Sequence, residues 1–192
     1  MINGRIFVLT ILLCCASISM AFDPADFKKL IDTNKCEKCD LSGADLRGLN
    51  LSGARLNDSN LNGAKLNGTN LSKAWLNSAS LSLAVLSGAN LSDAKMEAAH
   101  MNIANLSGAN LSNANLWGAS LVDAVLVGAN LNDGQLRESD LSRSNLSKVD
   151  LRGAYLHDAI LSGAILTDAK FEKTVFCRTI MPRGVINNDD CS

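Results

Sequence analysis

A large apolar residue recurs at every fifth position through most of the chain, from Leu41 to Phe176. Of these 28 positions, 24 hold Leu, and the other four hold Met96, Met101, Phe171 and Phe176. Two residues before each of them the side chain is usually small, and it is Ala in 19 of the 28 cases. A period of five fits neither the 3.6-residue period of an α-helix nor the two-residue period of a strand. The pattern therefore predicts tandem five-residue units.

Each unit combines a short extended piece with a corner. Ala and Leu stand two residues apart, so both point to the same side of an extended chain, and the residue between them points outward. The two residues after Leu are mostly Ser, Asn, Gly or Asp, which form turns. Eleven of the 14 glycines stand at the last residue of a unit. Repetition of this unit coils the chain around an axis and predicts a solenoid with Leu and Ala inside.

Units such as Ala44 to Gly48 (ADLRG) and Ala109 to Asn113 (ANLSN) match the pattern A(D/N)LXX. The run from 40 to 178 resembles the pentapeptide repeat family in this respect. The resemblance implies an all-β fold, a right-handed quadrilateral parallel β-helix with four units, and hence 20 residues, in each coil. About seven coils would form a rod about 30–35 Å long at an inter-strand spacing of about 4.8 Å.

Both ends of such a rod need covers, because an open β-helix exposes strand edges and apolar side chains. Residues 22–39 are therefore interpreted as an N-terminal capping segment. Asp23 as N-cap and Pro24 at the first helical position predict a short helix there, with Phe27, Leu30 and Ile31 on one apolar face. Residues 179–192 leave the repeat and are interpreted as a C-terminal cap.

Residues 1–21 have the pattern of a secretory signal peptide. Arg5 precedes an apolar stretch, and Ser19 to Ala21 form a small-x-small cleavage site. An uncleaved anchor is the alternative, but the stretch is shorter than the roughly 20 residues of a membrane span. A lipid attached at Cys14 or Cys15 is a weaker alternative, because neither cysteine follows a small residue. We expect export to a bacterial periplasm or to the outside, with no membrane span in the mature chain. A bacterial source is favoured because the Asn-x-Ser triplets would be glycosylated in a eukaryotic secretory route.

Removal of the signal leaves four cysteines, Cys36, Cys39, Cys177 and Cys191. An even number in an exported chain predicts disulfides. In the fold that the resemblance implies, the two pairs lie at opposite ends of the rod, beyond the roughly 7 Å Cα separation that a disulfide can bridge. The expected bonds are therefore Cys36–Cys39 and Cys177–Cys191. A redox-active Cys-x-x-Cys site is the alternative for the first pair.

Twenty-residue coils would sort the outward side chains into four faces. One face gathers basic and aromatic side chains of the kind found in interaction hot spots. We call this set the candidate interaction face; it consists of Arg55, Trp75, Lys95, Trp117, Arg137, Tyr155 and His157. A second face carries a polar ladder, which is either an array for an ordered partner such as sugar or ice, or simply stacked repeat side chains. This ladder consists of Asn50, Asn70, Asn90, Asn110 and Asn130.

Two smaller features depart from the repeat. A set of outward aliphatic residues predicts an apolar patch for self-association as a homodimer, and it consists of Val85, Val122, Val125, Val127, Ile160 and Ile165. In one coil the inward Ala is replaced by Gly134, Ser139, Ser144 and Val149. These replacements predict room for water or a local bend.

The sequence offers little that could carry chemistry. The only histidines, His100 and His157, fall on different faces without neighbouring ligands, and we expect both to be solvated. Acidic residues such as Asp123 are explained by turn formation. We therefore expect no enzyme activity, no cofactor and no metal.

The charge balance limits the classes of partner. With 19 acidic and 18 basic residues, the formal net charge is −1, which gives no electrostatic reason to expect a nucleic acid partner. Some members of the family that the chain resembles mimic DNA and inhibit gyrase, which requires a strongly acidic, cytoplasmic rod. The prediction is instead a non-catalytic exported scaffold with an unknown protein or envelope partner. A carbohydrate- or envelope-binding protein that uses Trp75, Trp117 and Tyr155 is the alternative, and a DNA mimic that binds gyrase is a weaker one.

Overall fold

The structure, a computed structural model, describes residues 22–191, and the predicted signal peptide at 1–21 lies outside them. One α-helix, α1, spans Pro24–Thr33. The Asp23 carboxylate accepts a hydrogen bond of 2.8 Å from the backbone N–H of Ala25, as expected of an N-cap. The helix ends at Asn34, which adopts a left-handed conformation and donates its N–H to the carbonyl of Leu30. Both predicted start signals, Asp23 and Pro24, are confirmed.

After α1, parallel β-bridges join residues 20 apart, from Lys35↔Arg55 to Ile160↔Ile180. The backbone hydrogen bonds repeat with the same period. For example, Leu56 donates its N–H to the Trp75 carbonyl at 2.7 Å, and Trp75 donates to the Ala54 carbonyl at 2.8 Å. These bridges confirm the predicted 20-residue coil of a parallel β-helix.

The bridges begin at Lys35, before the predicted start of the repeat at 40. The difference arises because Cys36 and Cys39 occupy the inward positions that Leu and Ala take in later units. Their side chains are 0% and 3% exposed, respectively. The first coil therefore starts immediately after α1, whose Leu30 is buried in the same hydrophobic core.

The interior is a continuous stack of Leu and Ala side chains. Polar residues in this stack donate to backbone carbonyls. Ser139 and Ser144 donate to the carbonyls of Leu136 and Leu141, both at 2.7 Å, and the Thr69 hydroxyl reaches the Leu46 carbonyl of the previous coil, also at 2.7 Å. Buried hydroxyls that make these bonds avoid the cost of desolvation.

In the coil in which inward Ala is replaced, Ser139, Ser144 and Val149 are fully buried. A Cβ at Gly134 would lie only 2.9 Å from the Leu131 carbonyl oxygen, so the backbone occupies the space beside this glycine. The parallel bridges continue through this coil without a break. Room for water or a local bend stays a prediction.

The C-terminal residues form a small antiparallel sheet of β1 (Thr179–Ile180) and β2 (Ile186–Asn187). Beyond β2 the chain lies against the last coil. Asp190 donates its N–H to the Phe176 carbonyl, and its carboxylate accepts the Phe176 N–H, each at 2.9 Å. Within residues 22–191, no helix has the length and apolar character needed to cross a bilayer.

Two corners hold exposed aliphatic residues in a left-handed backbone conformation. Leu83 has a φ of 62° and Ile103 a φ of 61°, and their side chains are 61% and 58% exposed. Most other corners hold Gly or polar residues. A left-handed conformation costs a residue with a Cβ about 1–2 kcal/mol, and burial does not offset that cost at these two positions.

The inward leucines should dominate stability. Replacing the fully buried Leu116 by Ala should lower the free energy of unfolding by about 2–5 kcal/mol, because the change removes buried methyl groups and leaves a cavity. The same substitution at the exposed Leu83 is the matched control and should cost far less. Urea denaturation followed by circular dichroism measures both. Equal losses in the two variants would contradict the described core.

The strained corner makes a second prediction. Ile103→Asn should raise the free energy of unfolding by about 1 kcal/mol, because Asn tolerates the left-handed conformation better than a β-branched residue. The reciprocal change Asn113→Ile, at a corner with φ of 57°, should lower it by a similar amount. If both substitutions shift the thermal midpoint in the same direction, backbone strain does not explain the effect.

Candidate interaction face

The predicted face forms one side of the rod. Arg55, Trp75, Lys95 and Tyr155 belong to one column of bridge residues, which runs Lys35, Arg55, Trp75, Lys95, Asn115, Gln135, Tyr155 and Val175. These side chains point outward, since the residues before and after each of them point into the core. Trp117, Arg137 and His157 lie in successive coils at the adjoining corner. The structure thus brings together all seven residues that the sequence selected.

Near the N-terminal end of the face, a cation covers an indole ring. The Lys95 ammonium lies 3.7 Å from the ring centroid of Trp75, within the range of a cation–π interaction. Trp75 remains 40% exposed. The Trp75 ring therefore holds the charge of Lys95 in place and still presents part of its surface to solvent.

Near the C-terminal end, three side chains stack on one another. The Arg137 guanidinium carbon lies 5.6 Å from the ring centroid of Tyr155, and the Tyr155 and His157 rings are stacked with centroids 6.4 Å apart. His157 is half-buried, and its Nδ1 atom is shielded from solvent without a hydrogen-bond partner in residues 22–191. The prediction that His157 is solvated is wrong, because this nitrogen is covered; His100 is exposed as expected.

Trp117 lies between these two clusters and is the most exposed aromatic residue, at 51%. Its backbone N–H donates to the Asn115 Oδ1 at 3.1 Å. Asn115 in turn donates through Nδ2 to the Glu97 Oε1 at 2.7 Å. Within residues 22–191 the Trp117 ring has no stacking or cation–π partner. A hydrogen-bonded corner therefore holds an indole whose ring is available for a partner.

The family profile of pentapeptide repeats matches residues 35–72, 64–102, 104–143 and 144–181. These ranges cover most of the chain. The chain belongs to the pentapeptide repeat family. The matches begin at residue 35, where the structure places the first bridge.

Solved structures of other repeat proteins are similar to this one. QnrB1, a plasmid-mediated fluoroquinolone resistance protein, is 20% identical, with 68% of this chain and 71% of that chain covered and a TM-score of 0.58. HetL from the cyanobacterium Nostoc sp. strain PCC 7120, involved in heterocyst differentiation regulation, is 26% identical, with 80% and 91% covered and a TM-score of 0.47. A protein from the thylakoid lumen of Arabidopsis thaliana is 30% identical, with 54% and 69% covered and a TM-score of 0.36. No curated protein matches the chain. The likeness to QnrB1 shows the fold alone.

The polar ladder of this pentapeptide repeat protein is bonded to itself. The Nδ2 atoms of its members donate to the Oδ1 atoms of the previous coil, from Asn70 up to Asn130, at 3.0–3.3 Å. Each acceptor oxygen also receives the N–H of the residue two positions later, as Asn90 does from Ser92 at 3.1 Å. Because the acceptor groups are used within the rod, the geometry favours stacked repeat side chains over a binding array.

Both predicted disulfides are present, with Cα separations of 5.3 Å for Cys36–Cys39 and 4.8 Å for Cys177–Cys191. Asp26 lies close enough to the first pair for the three side chains to resemble a metal site. Two sulfurs bonded to each other are not thiolate ligands, however. Cys36 and Cys39 are also buried, so a redox partner would not reach them, and a structural role is favoured.

The predicted apolar patch is discontinuous. Its bridge column runs Val85, Asn105, Val125, Asn145 and Ile165, so polar residues separate the aliphatic ones. Val122 and Val127 are half-buried in corners, and Ile160 lies in another column. The sequence interpretation missed Leu83 and Ile103, which are more exposed than any member of the patch. The sequence contained a signal for these two residues. Each stands at the last residue of a unit, where Gly or a polar residue is usual.

Four arginines outside the candidate interaction face, Arg47, Arg143, Arg152 and Arg178, are ion-paired. Arg143 pairs with Asp123 one coil away at 2.7 Å, and Arg47 pairs with Asp45 at 2.6 Å. The hydrogen bond from Arg47 lowers the pKa of Asp45 to about 2. Arg55, Lys95 and Arg137 of the candidate interaction face, in contrast, form no ion pair within residues 22–191.

The ladder predicts a stability effect. Asn90→Ala removes the bonds to Asn70, Ser92 and Asn110 and should lower the free energy of unfolding by about 1–2 kcal/mol, given about 1 kcal/mol for each net bond and partial solvation of the partners. Gln135→Ala is the matched control, because this amide stands at another outward bridge position, and the substitution should change the free energy of unfolding by less than about 0.5 kcal/mol. Chemical denaturation measures the difference. An unchanged Asn90→Ala variant would show that the ladder does not support the rod.

Proposed function

We propose that this protein is a non-catalytic, exported scaffold that binds a protein or another envelope component through its candidate interaction face. The exposed Trp117 ring carries this proposal. Trp and Arg are the residue types enriched in binding hot spots, and Arg137 lies one coil away from Trp117. The hydrogen bonds at this corner hold the backbone from which the ring projects, so binding requires less ordering of the backbone.

A non-catalytic role agrees with the family, whose members are generally structural or interaction proteins. The arrangement of the histidines supports it. Within residues 22–191, no hydrogen bond joins His100 or His157 to a hydroxyl, a thiol or a carboxylate. An activated nucleophile requires such a contact between nucleophile and base. Asp158, beside His157, is instead paired with Arg178.

Export to a periplasm or to the outside is part of the proposal. It is supported by the signal pattern in residues 1–21 and by two disulfides, which persist in oxidising compartments. The Phe22 ring, directly after the predicted cleavage site, packs 5.3 Å from the Phe27 ring of α1. A mature chain that begins at Phe22 would thus retain the whole packed segment. Intact-mass measurement of the protein from its native compartment should show this N-terminus.

α1 and the C-terminal segment are proposed to act as caps of the rod. Leu30 is fully buried in the core, and the Asp26 carboxylate accepts the N–H of Asp40 at 2.9 Å. At the other end, Cys191 fastens the tail to Cys177 of the last coil. Each segment thus covers an edge that would otherwise be open to other chains.

Binding of an envelope carbohydrate is the second candidate, because the Trp117 ring and the exposed part of Trp75 offer flat surfaces for sugar rings. A DNA mimic that binds gyrase has less support. The net charge of −1 lacks the required acidity, and the 20% identity to QnrB1 speaks for the fold only. Self-association has little support either, because Asn105 and Asn145 interrupt the apolar patch.

A cross-linking pull-down from the cell envelope tests the proposed face. Trp117→Ala should reduce recovery of the cross-linked partner by about 30-fold, since hot-spot residues contribute about 2 kcal/mol or more. Ile103→Ala is the matched control, because it removes a similarly exposed large apolar side chain (58%) from another corner, and recovery should be unchanged. Equal recovery with wild type and Trp117→Ala would exclude this indole as the binding site.

A further inference from the structure

The N-terminal half of the bridge column that contains Trp75 holds a row of unpaired cations. Lys35, Arg55, Trp75 and Lys95 are direct bridge partners in successive coils, and all four are exposed. We call them the basic strip. Like charges placed opposite each other across a bridge are destabilising, and Lys35 and Arg55 stand in this relation.

Within residues 22–191, none of the cations in the basic strip forms an ion pair, whereas Arg47, Arg143, Arg152 and Arg178 do. The exposed carboxylates of Glu37 and Glu97 stand at the adjoining corner, and Glu97 accepts a hydrogen bond from Asn115 instead. The strip itself places three positive charges in one column of a chain whose net charge is −1. Three coil spacings of about 4.8 Å each extend the strip over about 14 Å along the rod. An anionic polymer lying along the axis would complement it.

The backbone beneath the strip excludes one mode of peptide binding. The N–H of Trp75 donates to Ala54, and its carbonyl accepts from Leu56, so an added peptide strand would find no free backbone groups on this face. Trp75 adds an aromatic surface, which a purely electrostatic site for a polyanion would not require. Asn57 and Asn77 lie at the adjoining corner. Their Oδ1 atoms accept the backbone N–H groups of Asn77 and Glu97, which leaves their Nδ2 groups to donate to hydroxyls. Cations, an indole and amides together fit an acidic sugar polymer better than an acidic peptide.

We propose that the basic strip binds an anionic polysaccharide whose sugar units carry carboxylates. The polymer lies along the rod axis, with its carboxylates against Lys35, Arg55 and Lys95. The exposed surface of Trp75 packs against a sugar ring, while the indole holds the Lys95 ammonium in position. This inference rests on the proposed function, in that it assigns a ligand class to part of the candidate interaction face, and it adds Lys35 to that face.

Isothermal titration of the mature protein with polygalacturonate tests the inference, with dextran as a neutral polymer and polyglutamate as an acidic peptide. Polygalacturonate should bind, and its affinity should fall as the salt concentration rises. The combined variant Lys35→Gln, Arg55→Gln, Lys95→Gln should weaken binding by about tenfold or more, if each exposed charge pair contributes at the upper end of its usual range. Trp75→Ala should weaken binding of polygalacturonate more than any binding of polyglutamate. Both polymers lose the positioned Lys95, but only a sugar ring loses its packing on the indole.

The matched control is Lys65→Gln, Lys148→Gln, Lys170→Gln, which removes the same charge from other columns and should change the affinity less than about twofold. The inference is overturned if polygalacturonate does not bind at low salt, or if the control loses as much affinity as the basic-strip variant. Equally tight binding of polyglutamate would show an acidic-peptide site instead. If polygalacturonate fails while Trp117→Ala still loses the cross-linked partner, only this inference is wrong, and the proposed scaffold function stands.

Discussion

The whole structure depends on the register of the backbone hydrogen bonds between successive coils. Bridge partners are 20 residues apart. An outward residue such as Trp75 donates its N–H to Ala54 in the coil before it, and an inward Leu such as Leu56 donates its N–H to Trp75 in the coil after it. Along most of the rod, this register places Leu over another large apolar residue and a small residue over another small one. Leu49 below Thr69 and Cys36 below Leu56 are exceptions. A shift by one residue would turn the inward side chains outward. The five-residue period of Leu is therefore a requirement of the hydrogen bonding as well as of the core.

This constraint separates the residues that fold the chain from those that can serve a function. Inward positions must stay apolar or, like Ser139 and Ser144, bond to the backbone. One of the two corner residues must tolerate a left-handed backbone. The outward bridge residue is limited only by its neighbours one coil away, so functional variation accumulates there. Trp75 over Lys95 and Tyr155 over Arg137 show that these neighbours interact across coils and corners to form one surface.

Much of this organisation follows from the sequence, because the period of five determines which residues face inward and the period of 20 determines which share a column. The disulfide pairs could be predicted because the coils place the two cysteine pairs at opposite ends of the rod. The start of α1 could be predicted from Asp23 and Pro24, which are typical of helix N-termini. The first coil could not, because Cys36 replaces the Leu on which the pattern depends. The shielding of the His157 Nδ1 atom also escaped prediction, since it depends on side-chain packing that the period does not determine. The closeness of the Leu131 carbonyl to Gly134 was missed because the period identifies inward positions without showing which carbonyls lie beside them.

The arrangement of outward residues in columns determines how the insertion or deletion of a five-residue unit would affect the surface. Removing one whole unit between Lys95 and Tyr155 would keep Leu over Leu, and the interior would remain intact. Every residue after the deletion, however, would move by a quarter turn, and Tyr155 would leave the side of the rod that carries Trp75. The number of units between two distant surface residues thus determines whether they lie on the same side of the rod. A gain or loss of five residues preserves the inward pattern and yet rearranges the outer surface beyond the change.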